Sequence, residues 1–203
     1  MTSILFNGQS LRPGKVVCVG KNYAAHIEEM ASVPAEKMVV FMKPATSIGT
    51  ELRATLDEAL HYEGEISLLI KAGAVAGVGF GLDLTKRETQ SKLKAAGLPW
   101  ERSKAFTGSA LFSEFVPAPA GLTRLGVELI VDGVMRQQGD VSLMLYPPSV
   151  ILEELQTFLT LEDFDIVMTG TPAGVGPVQA GDRFHGRLLH GDQELVSGAW
   201  LAK

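Results

Sequence analysis

The chain has 203 residues, 46% of them apolar and 20% charged, with a net charge of −5. A chain this long buries about 70% of its unfolded surface without staples. Its low charge content excludes wholesale disorder, and its acidic balance excludes a strongly basic nucleic-acid binder. Cys18 stands alone, which excludes an internal disulfide and favours a reducing compartment.

In chain order, MTSILFNGQSLRPGK lacks both a basic start and a long apolar core, so it does not read as a secretory signal. Short apolar or alternating runs bounded by turn residues predict strands over Lys15–Val19, Val39–Met42, Glu63–Ile70, Val78–Leu84, Leu125–Val131 and Asp165–Thr169. Three helices are expected. Asn22–Met30 starts at a plausible Asn cap. Thr85–Ala96 opens on a Thr-x-x-Glu capping box and stops at Gly97. Ser149–Leu159 follows a Pro-Pro pair. The most apolar stretch, LLIKAGAVAGVGFGL, carries Lys71 and four glycines and reads as strands and turns, not as a membrane span. Many strands and few helices predict a mainly β, α+β fold. One domain is expected over residues 1–203, with a short lead-in over 1–14, in the cytoplasm, with no nucleic-acid or membrane partner.

The segment His61-Tyr62-Glu63-Gly64-Glu65 leads into ISLLI. Residues i and i+2 of a strand share a face, so Glu63 and Glu65 stand side by side. Two adjacent carboxylates call for a counter-charge, and hard oxygen ligands suit Mg²⁺, Mn²⁺ or Ca²⁺. An exposed strand with two solvated glutamates fits the same pattern. His61 shares that face, although a structural histidine explains it as well. Asp83 interrupts the apolar run VGFGLDL, where a carboxylate must be paired, hydrogen-bonded or metal-bound. Thr85 is the nearer helix cap, which leaves Asp83 free to complete a set of three carboxylates. Crowded by Glu63 and Glu65, Asp83 is expected to be replaceable by Asn at no cost to the metal-free protein. His26 and Glu29 fall at i, i+3, the spacing of a carboxylate that orients a histidine base. Lys43 and Lys104 could meet an anionic substrate. The Gly-rich turn from Thr169 to Gly176, with Gly170 and Thr171, could cradle a carboxylate through its N–H groups and hydroxyls. Cys18 reads as core packing.

Taken together, VVCVGKNYAAHIEEM, FMKPATS, HYEGEISLLI, GLDLTKRETQ, GLPWERSKAF, FDIVMTGTPAGVGP and the closing AGD resemble the fumarylacetoacetate hydrolase family, in its single-domain acylpyruvate hydrolase (fumarylpyruvate hydrolase-like) branch. The pieces run in the family's order over about residues 16–182. The resemblance implies a mixed β-sheet roll, a homodimer and a Mg²⁺ or Mn²⁺ site. It maps the metal ligands onto Glu63, Glu65 and Asp83, and the catalytic dyad onto His26 and Glu29 of a mobile lid. It places Lys104, Gln90 and Thr171 near the substrate; Lys43 and Gly170 are further substrate-binding candidates. The connection from Ile70 to Asp83 is shorter than in relatives, and Glu88 stands where they commonly have Asp.

The implied activity is hydrolysis of a C–C bond in an acylpyruvate, a 2,4-diketo acid, giving pyruvate and a carboxylic acid. A second reading uses the same site for oxaloacetate decarboxylation or keto–enol tautomerisation. A third is a catalytically silent metal-binding relative. The partner in each case is a small 2-keto acid.

Overall fold

The computed structural model describes residues 2–30 and 36–203. The expected fold class is what it shows: a curled, mainly β structure with few helices. The principal sheet has seven strands. Its path runs Val116–Pro117, Ala74–Asp83, Gly64–Lys71, Ile166–Met168, Lys15–Gly20, Val39–Pro44, with Ala110–Phe112 paired beside Ala74–Asp83. The one parallel pairing on this path is Ile166–Met168 with Lys15–Gly20. A four-stranded antiparallel sheet follows the order Val134–Asp140, Leu125–Val131, Arg183–His190, Gln193–Leu201. A three-stranded piece joins Gly176–Pro177, Leu60–Tyr62 and Thr85–Lys86.

The core lies on both faces of the principal sheet. Ile66, Leu68, Val78, Phe80 and Leu82 pack toward Val127, Leu129, Phe184 and Leu188 of the second sheet. Val16, Cys18, Leu69, Ile166 and Met168 fill the opposite face. Burial on both faces explains why these strands read as apolar runs without clean alternation. Gly186 lets the sheets approach, because a Cβ there would lie 2.2 Å from the Phe80 ring.

The short link after the Glu-x-Glu strand is a tight hairpin. Gly64–Lys71 turns through Ala72 and Gly73 into Ala74–Asp83, and both turn residues have positive φ, +51° and +73°. That is the two-residue geometry that matches strand twist.

All six predicted strands form, with ends shifted by a few residues at most. The sequence reading missed Val134–Asp140, Arg183–His190 and Gln193–Leu201, and the short helix Glu101–Lys104. The three expected helices form as Ala24–Glu29, Arg87–Ala95 and Pro148–Gln156. Two of their expected caps do not. Tyr23 occupies the first cap position, and the Asn22 amide instead donates to the carbonyls of Thr169 and Tyr146. Thr85 lies in a strand pairing. The N-terminus of Arg87–Ala95 is capped from a distance by the Glu58 carboxylate, which accepts from the Glu88 and Thr89 amides. Gly97, at φ +64°, does close that helix as expected.

Candidate active site

The hairpin places three carboxylates at one end of the principal sheet. The Asp83 amide donates to the Glu63 carbonyl at 2.8 Å, and Glu65 faces Gly81 two pairs further along. One carboxylate oxygen from each of Glu63, Glu65 and Asp83 lies within 4.8 Å of the others, and all three side chains are buried. His61 is not among them. It sits half-buried on the separate Leu60–Tyr62 strand.

Buried cations face this cluster. The Lys104 ammonium, delivered by Glu101–Lys104, directs its donors to Glu63 Oε2 at 2.7 Å, Asp83 Oδ2 at 2.9 Å and Thr85 Oγ1 at 2.6 Å. The Lys43 ammonium lies 2.8 Å from Asp83 Oδ1. Its hydrogen bonds, however, go to the Lys104 carbonyl and to the carbonyl and hydroxyl of Ser109. Asp83 Oδ1 is thereby left buried without a hydrogen bond. Arg87 donates to Glu63 Oε1 at 2.6 Å and to Gln90 Oε1 at 2.8 Å.

The two glutamates are tuned in opposite directions. Burial alone would raise the Glu63 carboxyl, but the nearby charges of Lys104 and Arg87 outweigh it and hold the group well below the usual carboxylate range. Glu65 is pushed well up, first by burial and then by Asp83 and Glu63, against one stabilising bond from the Gly170 amide at 2.7 Å. Burial would lower the Lys104 ammonium, yet Asp83 and Glu63 together raise it. A crowded set of hard oxygen donors, one of them unbonded, fits a divalent Mg²⁺ or Mn²⁺ ion.

A pocket of about 510 Å³, including its open mouth, stands over the triad. His26 enters from the Ala24–Glu29 helix, with Nδ1 3.3 Å from Glu29 Oε2. Gln90, Lys104 and Thr171 also line it. Glu29, Lys43 and Gly170 stand one layer behind the lining. The Glu29 carboxylate accepts from the Gly174 amide at 3.0 Å, which ties the helix to the Gly-rich turn. That turn thus cradles two of the protein's own carboxylates, through Gly170 to Glu65 and through Gly174 to Glu29. The Thr171 hydroxyl donates to the Gly64 carbonyl and accepts from Gln137 Nε2. Sequence reasoning passed over Arg87, although its spacing of three from Gln90 on a helix was a usable signal. It also passed over Phe41, Trp100, Lys21 and Lys94, which form the walls and rim.

A curled β roll with a buried carboxylate triad beneath a cation-lined pocket defines a class of protein whose site could hold a metal ion. Residues 15–196 match the fumarylacetoacetate (FAA) hydrolase C-terminal family, and the chain belongs to it. It is 42% identical over 190 residues to an oxaloacetate tautomerase of Escherichia coli, a match covering 83% of this chain and 85% of that protein. It is 37% identical over 193 residues to the mitochondrial oxaloacetate tautomerase of Homo sapiens, covering 87% of each. A crystal structure of fumarylpyruvate hydrolase from Pseudomonas aeruginosa, in complex with Mn²⁺ and pyruvate, superposes with a TM-score of 0.87. That match has 32% identity and covers 99% of this chain and 96% of that one.

Proposed function

We propose that the protein catalyses the keto–enol tautomerisation of oxaloacetate, in preference to the acylpyruvate hydrolysis that its motifs first suggest. The observation that carries this reading is the 42% identity to a bacterial oxaloacetate tautomerase across most of both chains. The site is compatible with it, since tautomerisation asks for one positioned base and a place for charge on oxygen.

Glu63, Glu65 and Asp83 would hold Mg²⁺ or Mn²⁺, which supplies Lewis-acid polarisation of the 2-keto acid oxygens when bound. His26 takes the proton from C3 of the substrate. Its Nδ1 faces Glu29, so Nε2 is the nitrogen left to act, and Glu29 stabilises the imidazolium that forms. Negative charge accumulates on the C2 oxygen as the C3–H bond breaks, and Lys104 answers it from among the carboxylates. A proton is delivered to the C2 oxygen in balance, and no atom is gained or lost. Thr171 and Gln90 orient the substrate carboxylate.

The test follows the ultraviolet absorbance of enol-oxaloacetate as it converts to the keto form, with Mg²⁺ or Mn²⁺ and with a chelator. Metal-dependent acceleration is expected in the wild type, with a loss of about 10²–10⁴-fold in His26→Ala. The metal response of that variant's melting temperature should be intact. No acceleration in the wild type sinks the proposal. Pyruvate release from acylpyruvates, at a rate exceeding tautomerisation, would restore the hydrolase reading that the Pseudomonas aeruginosa structure supports. Pyruvate and CO₂ release from oxaloacetate would point to decarboxylation.

A further inference from the structure

The helix Arg87–Ala95 presents Arg87, Gln90 and Lys94 to the pocket, at spacings of three and four residues. These positions share one helix face. Arg87 marks the inner end, where it bonds Glu63. Lys94 lies seven residues on, about 10 Å along the axis, at the solvent-exposed rim. Its ammonium stands 5.1 Å above the Trp100 ring, which packs at 5.7 Å on Phe41 of the pocket wall. A cation held over an aromatic face keeps its position instead of wandering into solvent. Lys21 reaches the same rim from the left-handed turn after Lys15–Gly20, at φ +57°.

The cations of the inner pocket have acids to answer them: Lys43 faces Asp83, Lys104 faces Glu63 and Asp83, and Arg87 faces Glu63. Lys94 does not. Among the described residues no carboxylate stands within ion-pairing distance of it. Partial burial, then Lys21 and Arg87, make its proton easier to lose. Positive charge therefore collects at the rim of the pocket that also contains the triad.

We propose that Lys94, with Lys21 beside it, binds the second carboxylate of a dicarboxylic 2-keto acid and so selects dianionic over monoanionic substrates. The proposal rests on the keto-acid reading above and deepens it by assigning the residues that read the distal end. A substrate ending in a methyl group would leave the Lys94 ammonium partly desolvated and without a partner.

The experiment measures binding, not turnover, so that it stands apart from the tautomerase reading. Malate keeps both carboxylates of oxaloacetate and cannot enolise. 2-Hydroxybutanoate has a methyl group in place of the second carboxylate. Calorimetry on the Mn²⁺-loaded protein is expected to show malate favoured by about ten-fold or more, the scale of one charge-assisted hydrogen bond. Lys94→Met should lose most of that preference and Lys94→Arg should keep it. The affinity for 2-hydroxybutanoate should be the same in all three proteins. An undiminished preference in Lys94→Met, no preference in the wild type, or no binding of malate to the wild type overturns the assignment. A wild type that prefers malate but does not tautomerise oxaloacetate overturns the function and leaves this assignment standing. Tautomerisation without the preference does the reverse.

Discussion

Asp83→Asn separates a carboxylate that merely crowds its neighbours from one that holds the site together. Its side chain lies 2.8 Å from the Lys43 ammonium and 2.9 Å from that of Lys104, and both lysines are buried. Removing one partner of a buried ion pair costs roughly 3–5 kcal/mol, because the other charge is left uncompensated. Part of this is recovered here. Lys104 keeps Glu63 and Thr85, Lys43 keeps three bonds to Lys104 and Ser109, and Glu65 loses a repelling neighbour. A net loss of about 2–3 kcal/mol follows. At roughly 2–4 °C per kcal/mol for a chain of this length, the metal-free variant should melt about 4–12 °C below the wild type. The sequence alone suggested no loss, since only the repulsion from Glu63 and Glu65 could be seen there. Metal at about a hundred times its dissociation constant should stabilise the wild type by about 2.7 kcal/mol, or about 5–11 °C, and the variant hardly at all. Thermal melts with chelator and with Mn²⁺ measure both effects. A variant that melts at or above the wild type without metal would refute the ion-pair argument, and a full metal-induced shift would remove Asp83 from the ligand set.

Glu65 should make the metal-free protein sensitive to pH. Its folded-state pKa is raised, so the stability it contributes is fully present below the ordinary glutamate value and is lost as pH rises through the folded value. Chelated wild type should therefore lose stability as pH rises above the ordinary glutamate range, whereas Glu65→Gln should show a flatter profile; superimposable melting-versus-pH curves would contradict this. Glu58→Ala removes the remote cap of Arg87–Ala95 and should cost about 0.5–2 kcal/mol, read by urea denaturation, and an unchanged midpoint would mean that the cap contributes nothing. The half-buried Val39–Pro44 strand ends the principal sheet, with exposed Met42 on it and exposed Leu98 and Phe158 beside it. Such edges are usually covered, and a homodimer is the expected result by light scattering, with a monomer at micromolar concentration counting against it.

The carboxylate triad was legible because strand geometry is local. Glu63 and Glu65 share a face by alternation alone, and a lone Asp83 inside an apolar run announces a special environment. Lys43 was not legible as a buried residue: a lysine next to a proline reads as surface, and its partners Asp83 and the Lys104–Ser109 stretch arrive from two distant segments. The cap of Arg87–Ala95 was misread for the same reason. Thr85 and Glu88 have the local spacing of a capping box, but Thr85 is taken by strand pairing and by Lys104, and a carboxylate 30 residues upstream does the capping. The strand Val134–Asp140 escaped because much of its length is exposed and polar, whereas Arg183–His190 and Gln193–Leu201 are half-buried strands whose apolar residues are interrupted by polar ones and by Gly186 and Gly198.

The charges around the triad also constrain what the site can hold. Three carboxylates are met by Lys43, Lys104 and Arg87, so with all six groups ionised the inner site is already neutral. Metal ligation needs the carboxylates deprotonated, so a bound divalent ion would leave two positive charges uncompensated, and Lys94 at the rim adds to them. Burying uncompensated charge is costly. A dianion offsets more of this positive charge than a monoanion does. Metal and diacid should therefore bind with positive coupling, each tightening the other by the same factor. Calorimetric titration of Mn²⁺ with and without saturating malate measures that factor directly. Equal metal affinity in the two titrations would mean that the lysines and Arg87 do not set the charge of the site.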